Sequence, residues 1–281
     1  DLEDLGSIGP KINNEYRLVE MKNGDSVWMF GRDGSIKVLN GYSFSPNDMG
    51  ISMATLGMTR VASVQPESMW KDKDSMVLIS ARGYGKIMDL SEVTKSAKGK
   101  VISLSDDWLA GMVPVRAGHE EDMIVGMFRD DRMYYVRLDN FPLYKRSSTG
   151  NRIVKLKDGE TINGLVVFNT TDDPDYLFLY GESGYAKLMG MELLSFAKKA
   201  NNVVSLGKHI VGAELVHDHG ELELYLPAVK PPVIGVSMEI GKMVELRLST
   251  GESQKFRMST SIGNPTKILR VNRSEWYAFS Q

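Results

Sequence analysis

The chain has no cysteine among its 281 residues, which excludes disulfides and thiolate metal sites and suits a reducing compartment. It also lacks any apolar run approaching the ~18 residues that a membrane-spanning helix requires. Its first residues, Asp1 to Gly9, are acidic and glycine-containing, without the basic start and apolar stretch of a secretory signal. No membrane segment and a cytoplasmic location are therefore expected. Net charge is small, formally −2, which argues against a uniformly basic nucleic-acid binder and leaves the distribution of charge to decide. Histidines number only 4. His119 and His209 have no nucleophile motif beside them. His217-Asp-His219 places two imidazoles on one strand face, yet only Glu221 continues that face, and a metal site needs three or more ligands. Gly83-Tyr-Gly85 begins like a dinucleotide fingerprint, but Lys86-Ile-Met88 reads as a strand where that mechanism needs a helix N-terminus. No catalytic residue, metal or cofactor is expected.

What the chain does contain is a repeat. Asp25 and Gly34, Asp74 and Gly83, Asp122 and Asp131, and Asp175 and Gly184 are equally spaced pairs, each enclosing an apolar β-type run. The units recur at roughly 50 residues, the sequence signature of propellers, solenoids and arrays. Each opens with a run such as Ser26-Val-Trp-Met-Phe30, Met76-Val-Leu-Ile79, Met123-Ile-Val-Gly-Met-Phe128 or Tyr176-Leu-Phe-Leu-Tyr180, short enough and apolar enough for a strand covered on both faces. A glycine- or aspartate-containing turn follows, supplying the positive φ of a tight hairpin. The second strand is Ile36-Lys-Val-Leu39, Lys86-Ile-Met88, Met133-Tyr-Tyr-Val136 or Ala186-Lys-Leu-Met189. A third is expected at Val101–Leu104, Ile153–Leu156 and Val203–Leu206, and a fourth at Val61–Val64, Met112–Val115, Leu165–Phe168 and Val211–Val216. A fifth, divergent copy runs from Glu221-Leu-Glu-Leu-Tyr-Leu226 through Gly241-Lys-Met-Val-Glu-Leu246 to Lys267-Ile-Leu-Arg-Val271.

Four strands per unit make a blade. The expected fold is all-β, a single propeller-like domain over 1–281 with about five four-stranded blades at 25–66, 74–116, 122–168, 175–217 and 221–273. Residues 1–24 form a linker or, through Tyr16-Arg-Leu-Val-Glu-Met21, a strand that closes the ring and so removes an exposed edge. Most of the 17 methionines, including Met76, Met88, Met112, Met123 and Met133, fall in strands, where they fill the core. Tyr84, Tyr134, Tyr135, Tyr144 and Tyr185 lie near basic loops, and packing is their expected role, because duplex DNA keeps its bases covered.

Charge is sorted with the same period. Thr94 to Ser105 carries Lys95, Lys98 and Lys100 without an acid, and Pro142 to Lys157 carries Lys145, Arg146, Arg152, Lys155 and Lys157 without one. Leu193 to Ala213 carries Lys198, Lys199 and Lys208, and Ser253 to Arg273 carries Lys255, Arg257, Lys267, Arg270 and Arg273, again without acids. The acids gather at the joints between units, for example Asp72 and Asp74, Glu120 to Asp122, and Asp172, Asp173 and Asp175. Equivalent positions of a radial repeat share one rim, so the basic loops are expected to form a positive arc opposed by negative joints. Such an arc contacts backbone phosphates without reading sequence. Gly41 to Pro66, with Arg60 as its only base, leaves a gap in it.

A hairpin bounded by Asp and Gly, a bridge such as Asp89-Leu-Ser-Glu92 and a loop such as Lys98-Gly-Lys100-Val-Ile-Ser-Leu104 together resemble one blade of the C-terminal domain found in the A subunits of type IIA topoisomerases. Thr149-Gly-Asn-Arg-Ile-Val-Lys-Leu156 and Gly83-Tyr-Gly85 resemble especially the topoisomerase IV version, and the pattern spans Asp25 to Val271. The resemblance implies a β-pinwheel that is not an enzyme by itself, binds double-stranded DNA along its basic outer surface and guides segments for strand passage. It also implies the rest of the A subunit and the ATPase B subunit as partners. Phosphate contacts are expected from Lys95, Lys98, Lys100, Lys145, Arg146, Arg152, Lys155, Lys198, Lys199, Lys208, Lys255 and Arg257. The chain departs from the gyrase form, because Ser45-Pro-Asn-Asp-Met-Gly-Ile51 stands where the Gln-(Arg/Lys)-Arg-Gly-Gly-(Arg/Lys)-Gly box belongs, so gyrase-type chiral wrapping is not expected. The breakage-reunion fold and its catalytic tyrosine have no counterpart here. Gyrase, topoisomerase IV and phage parentage stay open. A protein-binding propeller is the alternative, although the Gly-His and Trp-Asp marks of the common ones are missing.

Overall fold

A computed structural model describes residues 24–40, 57–58, 60–181, 185–196 and 202–217, together with the backbone of strands at 221–222, 233–239, 243–248, 253–256 and 266–267. The ring-closing segment Tyr16 to Met21, the Ser45 to Ile51 stretch, Lys198, Lys199, Asp218, His219 and Arg257 lie outside the described residues. The first repeat forms β1 (Ser26–Gly31), β2 (Ile36–Asn40) and β3 (Val61–Pro66). The second forms β4 (Ser75–Ser80), β5 (Tyr84–Asp89), the short helix α1 (Leu90–Thr94) and β6 (Leu109–Val115). The third forms β7 (Met123–Arg129), β8 (Arg132–Arg137), β9 (Asn151–Arg152) and β10 (Gly164–Asn169). β11 (Tyr176–Gly181), β12 (Tyr185–Gly190), β13 (Val203–Ser205) and β14 (Ile210–Val216) make the fourth. Then come β15 (Glu221–Leu222), β16 (Val233–Glu239), β17 (Met243–Leu248), β18 (Ser253–Phe256) and β19 (Thr266–Lys267).

In each of the first four repeats the opening strand lies between the second and fourth strands. Met76, for example, faces Met88 on β5 and Pro114 on β6. The described strands make one three-stranded sheet, β2-β1-β3, and four four-stranded ones: β6-β4-β5-β9, β10-β7-β8-β13, β14-β11-β12-β19 and β15-β16-β17-β18. This is the β-pinwheel architecture, mostly antiparallel sheet with little helix.

The third strand corrects the expectation that each repeat completes its own blade. β9 pairs with β5 through Tyr84↔Arg152 and Gly85↔Asn151, β13 pairs with β8, and β19 pairs with β12. Each belongs to the repeat after the sheet that it joins. In the first sheet the same crossing leaves only a bridge, Ser35↔Lys100. The strands expected at Val101–Leu104 and Ile153–Leu156 are therefore not strands, and Lys267 joins the fourth sheet rather than the fifth. Packing explains the crossing. Val101 and Ile102 are buried with Trp28, Phe30 and Ile36 of the preceding repeat, Val154 with Val77 and Ile79, and Val204 and Leu206 with Ile124 and Met133. After its outer strand the chain passes over the preceding hairpin turn. A Cβ on Gly34 would stand 3.0 Å from the Ile102 carbonyl oxygen, and one on Gly83 2.7 Å from that of Val154. Both glycines have φ +83, so they serve the turn and the crossing together.

Alternation along β4 divides its burial between two cores. Met76 and Leu78 pack toward the first repeat with Trp28, Met88 and Met112, whereas Val77 and Ile79 pack toward the third with Val125, Met127 and Leu165. Both faces are covered, as the uninterrupted apolar runs imply. Met76, Met88, Met112, Met123 and Met133 are all buried. The joint aspartates close the strands through their backbones: Asp74 N–H donates to Val115 O and Asp175 N–H to Val216 O, while Leu90 and Met191 donate to the carbonyls of Asp74 and Asp175.

Candidate nucleic-acid interface

Contacts between sheets separate an inside from an outside. β3 packs on β6, β6 on β10 and β10 on β14, so these strands lie on the inner side, and the borrowed strands β9, β13 and β19 occupy the opposite edges of their sheets. Because the basic loops lead into the borrowed strands, each is carried to the outer edge of the preceding sheet. Lys95 to Lys100 lies by the first sheet, Lys145 to Arg152 by the second and Val203 to Lys208 by the third.

Within the first of these loops Lys95, Lys98 and Lys100 are exposed. Lys95 Nζ is 3.6 Å from Glu92 and Lys100 Nζ 3.8 Å from Asp33. Runs free of acids in sequence thus acquire acidic neighbours in space, although solvent-exposed pairs of this kind contribute only about 0–1 kcal/mol and are screened by salt. In the second loop Lys145 and Lys155 are exposed. Arg152 lies over the Tyr84 ring at 5.2 Å and donates to the Tyr84 hydroxyl at 2.8 Å. Lys208, exposed beside the third sheet, stands 5.2 Å from the Tyr185 ring. Tyr134 and Tyr135 are core residues, whereas Tyr144 is 40% exposed next to Leu143 at 62%. Lys255 lies on β18, whose backbone alone is described. His217 Nδ1 is 4.0 Å from Asp175.

Arg146 has a different place from the one expected for a phosphate ligand. Its guanidinium donates to three carbonyls of the neighbouring loop: Nε to Lys100 at 3.2 Å, Nη1 to Ser96 at 3.4 Å and Nη2 to Lys98 at 2.8 Å. Thr149 Oγ1 adds a bond to Ser103 O at 2.9 Å. The first two basic loops are therefore fastened to each other.

Two cations that the sequence pattern places simply within strands sit beneath the rim. Lys86, on β5, is 0% exposed, and its ammonium donates to the carbonyls of Lys145 at 2.7 Å, Arg146 at 3.1 Å and Ser148 at 2.7 Å. Burial lowers its pKa to about 8, with the charge of Arg146 adding to the effect, while three carbonyl acceptors favour the protonated form. Lys187 occupies the matching place on β12, is 7% exposed and donates to Ser205 O at 3.0 Å. Burial lowers its pKa too. The available sequence signal is a lysine three residues after the turn glycine, as in Gly83 to Lys86 and Gly184 to Lys187, in a strand otherwise covered on both faces, since a buried lysine demands acceptors.

Comparison with known proteins agrees with this architecture. The family model described as DNA gyrase C-terminal domain, beta-propeller, matches residues 74–116 and 130–169. A solved DNA gyrase A C-terminal domain aligns over 89% of this chain and 80% of its own, at 17% identity and a TM-score of 0.60. A crystal structure of the C-terminal domain of DNA topoisomerase IV aligns over 88% and 76%, at 13% identity and a TM-score of 0.59. No curated protein matches the chain in sequence. Among the described residues no helix is long and apolar enough to cross a membrane. The second and third repeats carry the pattern of the DNA gyrase C-terminal domain family, and the chain has the β-pinwheel fold of the gyrase A and topoisomerase IV C-terminal domains.

Proposed function

We propose that this chain is the duplex-DNA-binding and bending domain of a type IIA topoisomerase A subunit, non-catalytic by itself, that guides DNA segments toward strand passage. The remainder of that subunit and an ATPase B subunit are its protein partners. One observation supports the reading: the strand exchange carries the loops of Lys98, Lys145 and Arg152, each without an acid in its own sequence, to the outer edges of successive sheets, where all three residues are exposed. Exposed cations in that arrangement neutralise backbone phosphates, which gives affinity without sequence readout and makes it steeply dependent on salt. A duplex following the rim curves, and the cost of bending it is met by the added contacts.

The test is charge reversal at Lys98, Lys145 and Arg152 together. Affinity for a short duplex should drop, and the dependence of log K on log salt should flatten by about 0.9 per lost contact. Unchanged affinity in a correctly folded variant would remove these loops from the interface. A domain that merely presents loops to a protein partner would show no duplex affinity even at low salt.

A further inference from the structure

The contacts of Lys86 and Arg146 form a chain. The buried ammonium of Lys86 holds the carbonyls of Lys145, Arg146 and Ser148, and the backbone of the same segment is fixed to β5, since Ile87 N–H donates to Pro142 O at 2.8 Å and Tyr144 N–H to Ile87 O at 2.9 Å. From that fixed segment the Arg146 guanidinium reaches Ser96, Lys98 and Lys100 of the preceding loop. A Cβ on Gly99 (φ +91) would stand 3.5 Å from Arg146 Nη2, so the loop backbone lies in van der Waals contact with the guanidinium. We infer that Lys86 is a positioning residue for the rim: it fixes the 145–148 segment directly and, through Arg146, the 96–100 segment that lies by another sheet, so that two basic loops are presented as one unit.

The inference deepens the proposed DNA-binding role and, in its second half, rests on it. Lys86 is covered by protein on all sides. Arg146, by the same geometry, acts by holding Lys98 and Lys100 rather than by meeting phosphate itself. The fork matters more than the charge, because the carbonyls of Lys100, Ser96 and Lys98 are each met by a different nitrogen of the guanidinium, a spread that the shared ammonium of a lysine at this position does not reproduce.

Hydrogen exchange on the whole chain tests the order of the links without DNA. Lys86→Met should speed amide exchange about tenfold or more in both segments, 143–150 and 95–101, while leaving the β7–β8 hairpin protected. Arg146→Lys should release 95–101 alone. Release of only 143–150 in Lys86→Met, or uniform loss of protection across the protein, would overturn the relay. Should Lys86→Met fail to fold, Arg146→Lys decides the second link unaided, and protection of 95–101 unchanged from the parent overturns it. In duplex binding, Arg146→Lys, with its charge kept, should weaken affinity roughly tenfold and nearly as much as Arg146→Gln. Affinity retained by Arg146→Lys and lost by Arg146→Gln would make Arg146 a direct phosphate ligand and refute the positioning role. Failure of the parent chain to bind DNA at all would remove the proposed function and leave the exchange result standing by itself.

Discussion

Glu214 provides a sharp test of how the fourth sheet is buried. It lies on β14 opposite Phe178 and shares a face with Gly212, where an added Cβ would run into the Tyr180 hydroxyl. Phe178 and Tyr180 stack there with centroids 5.8 Å apart. Burial raises the Glu214 pKa from 4.5 to about 7. The Tyr180 hydroxyl is pushed well above its ordinary value, by burial first and by the neighbouring Glu214 second, so it stays protonated throughout. A raised carboxyl pKa means that the folded chain holds a proton which the unfolded chain has released. Glu214 is therefore most compatible with folding below pH 4.5, and its contribution declines as pH rises through 7. At about 1.4 kcal/mol per pH unit the decline reaches up to about 3 kcal/mol. The quantity to follow is the difference between the parent and Glu214→Gln, whose amide resembles the protonated acid and so isolates this one group. Urea unfolding from pH 4.5 to 8 should show the parent losing stability relative to Glu214→Gln across that window, with the difference constant above it. A difference curve that is flat, or that slopes the other way, would refute the burial assigned to this carboxyl.

Gly83→Ala should cost about 2 kcal/mol or more, because the left-handed conformation alone costs about 1–2 kcal/mol and the new Cβ meets the Val154 backbone. Gly118→Ala is its control: φ is +82 with nothing within 4 Å of the added Cβ, so the excess cost at Gly83, read by denaturant unfolding, isolates the crossing chain. Leu78→Ala, in a 0% exposed position between the first two repeats, should destabilise by about 2–5 kcal/mol in the same assay. Tyr84→Ala removes the surface on which Arg152 rests and should cost no more than about 1 kcal/mol by thermal or urea unfolding. A larger loss would mean that Tyr84 supports more than its cation partner.

The opening strands of the first four repeats are legible because each lies between two apolar layers, as uninterrupted runs such as Met76-Val-Leu-Ile79 require. The fate of the third strand was not legible. Val101 and Ile102 are buried as their apolarity predicts, but nothing in a local pattern says which sheet buries them, and they pack on the preceding repeat beside the single bridge of Lys100 to Ser35. β16 and β18 lie where the sequence pattern indicates no strand, and α1 lies where it indicates only a bridge. At the site, composition located Lys95, Lys98, Lys100, Lys145 and Arg152 on the surface, since acid-free polar runs between strands have nowhere else to go. The role of Arg146 was hidden because its acceptors are main-chain carbonyls, which leave no mark in side-chain sequence. Lys86 is hidden for the same reason, since its three acceptors are main-chain carbonyls as well.

The proposal that strand exchange gathers the basic loops into one surface for duplex DNA is tested most directly by the affinity of the whole chain for a short labelled duplex at about 50 and 200 mM salt. With about four phosphate contacts, binding should weaken on the order of a hundredfold between the two conditions. Absence of binding at the lower concentration, or an affinity indifferent to salt, would contradict the account.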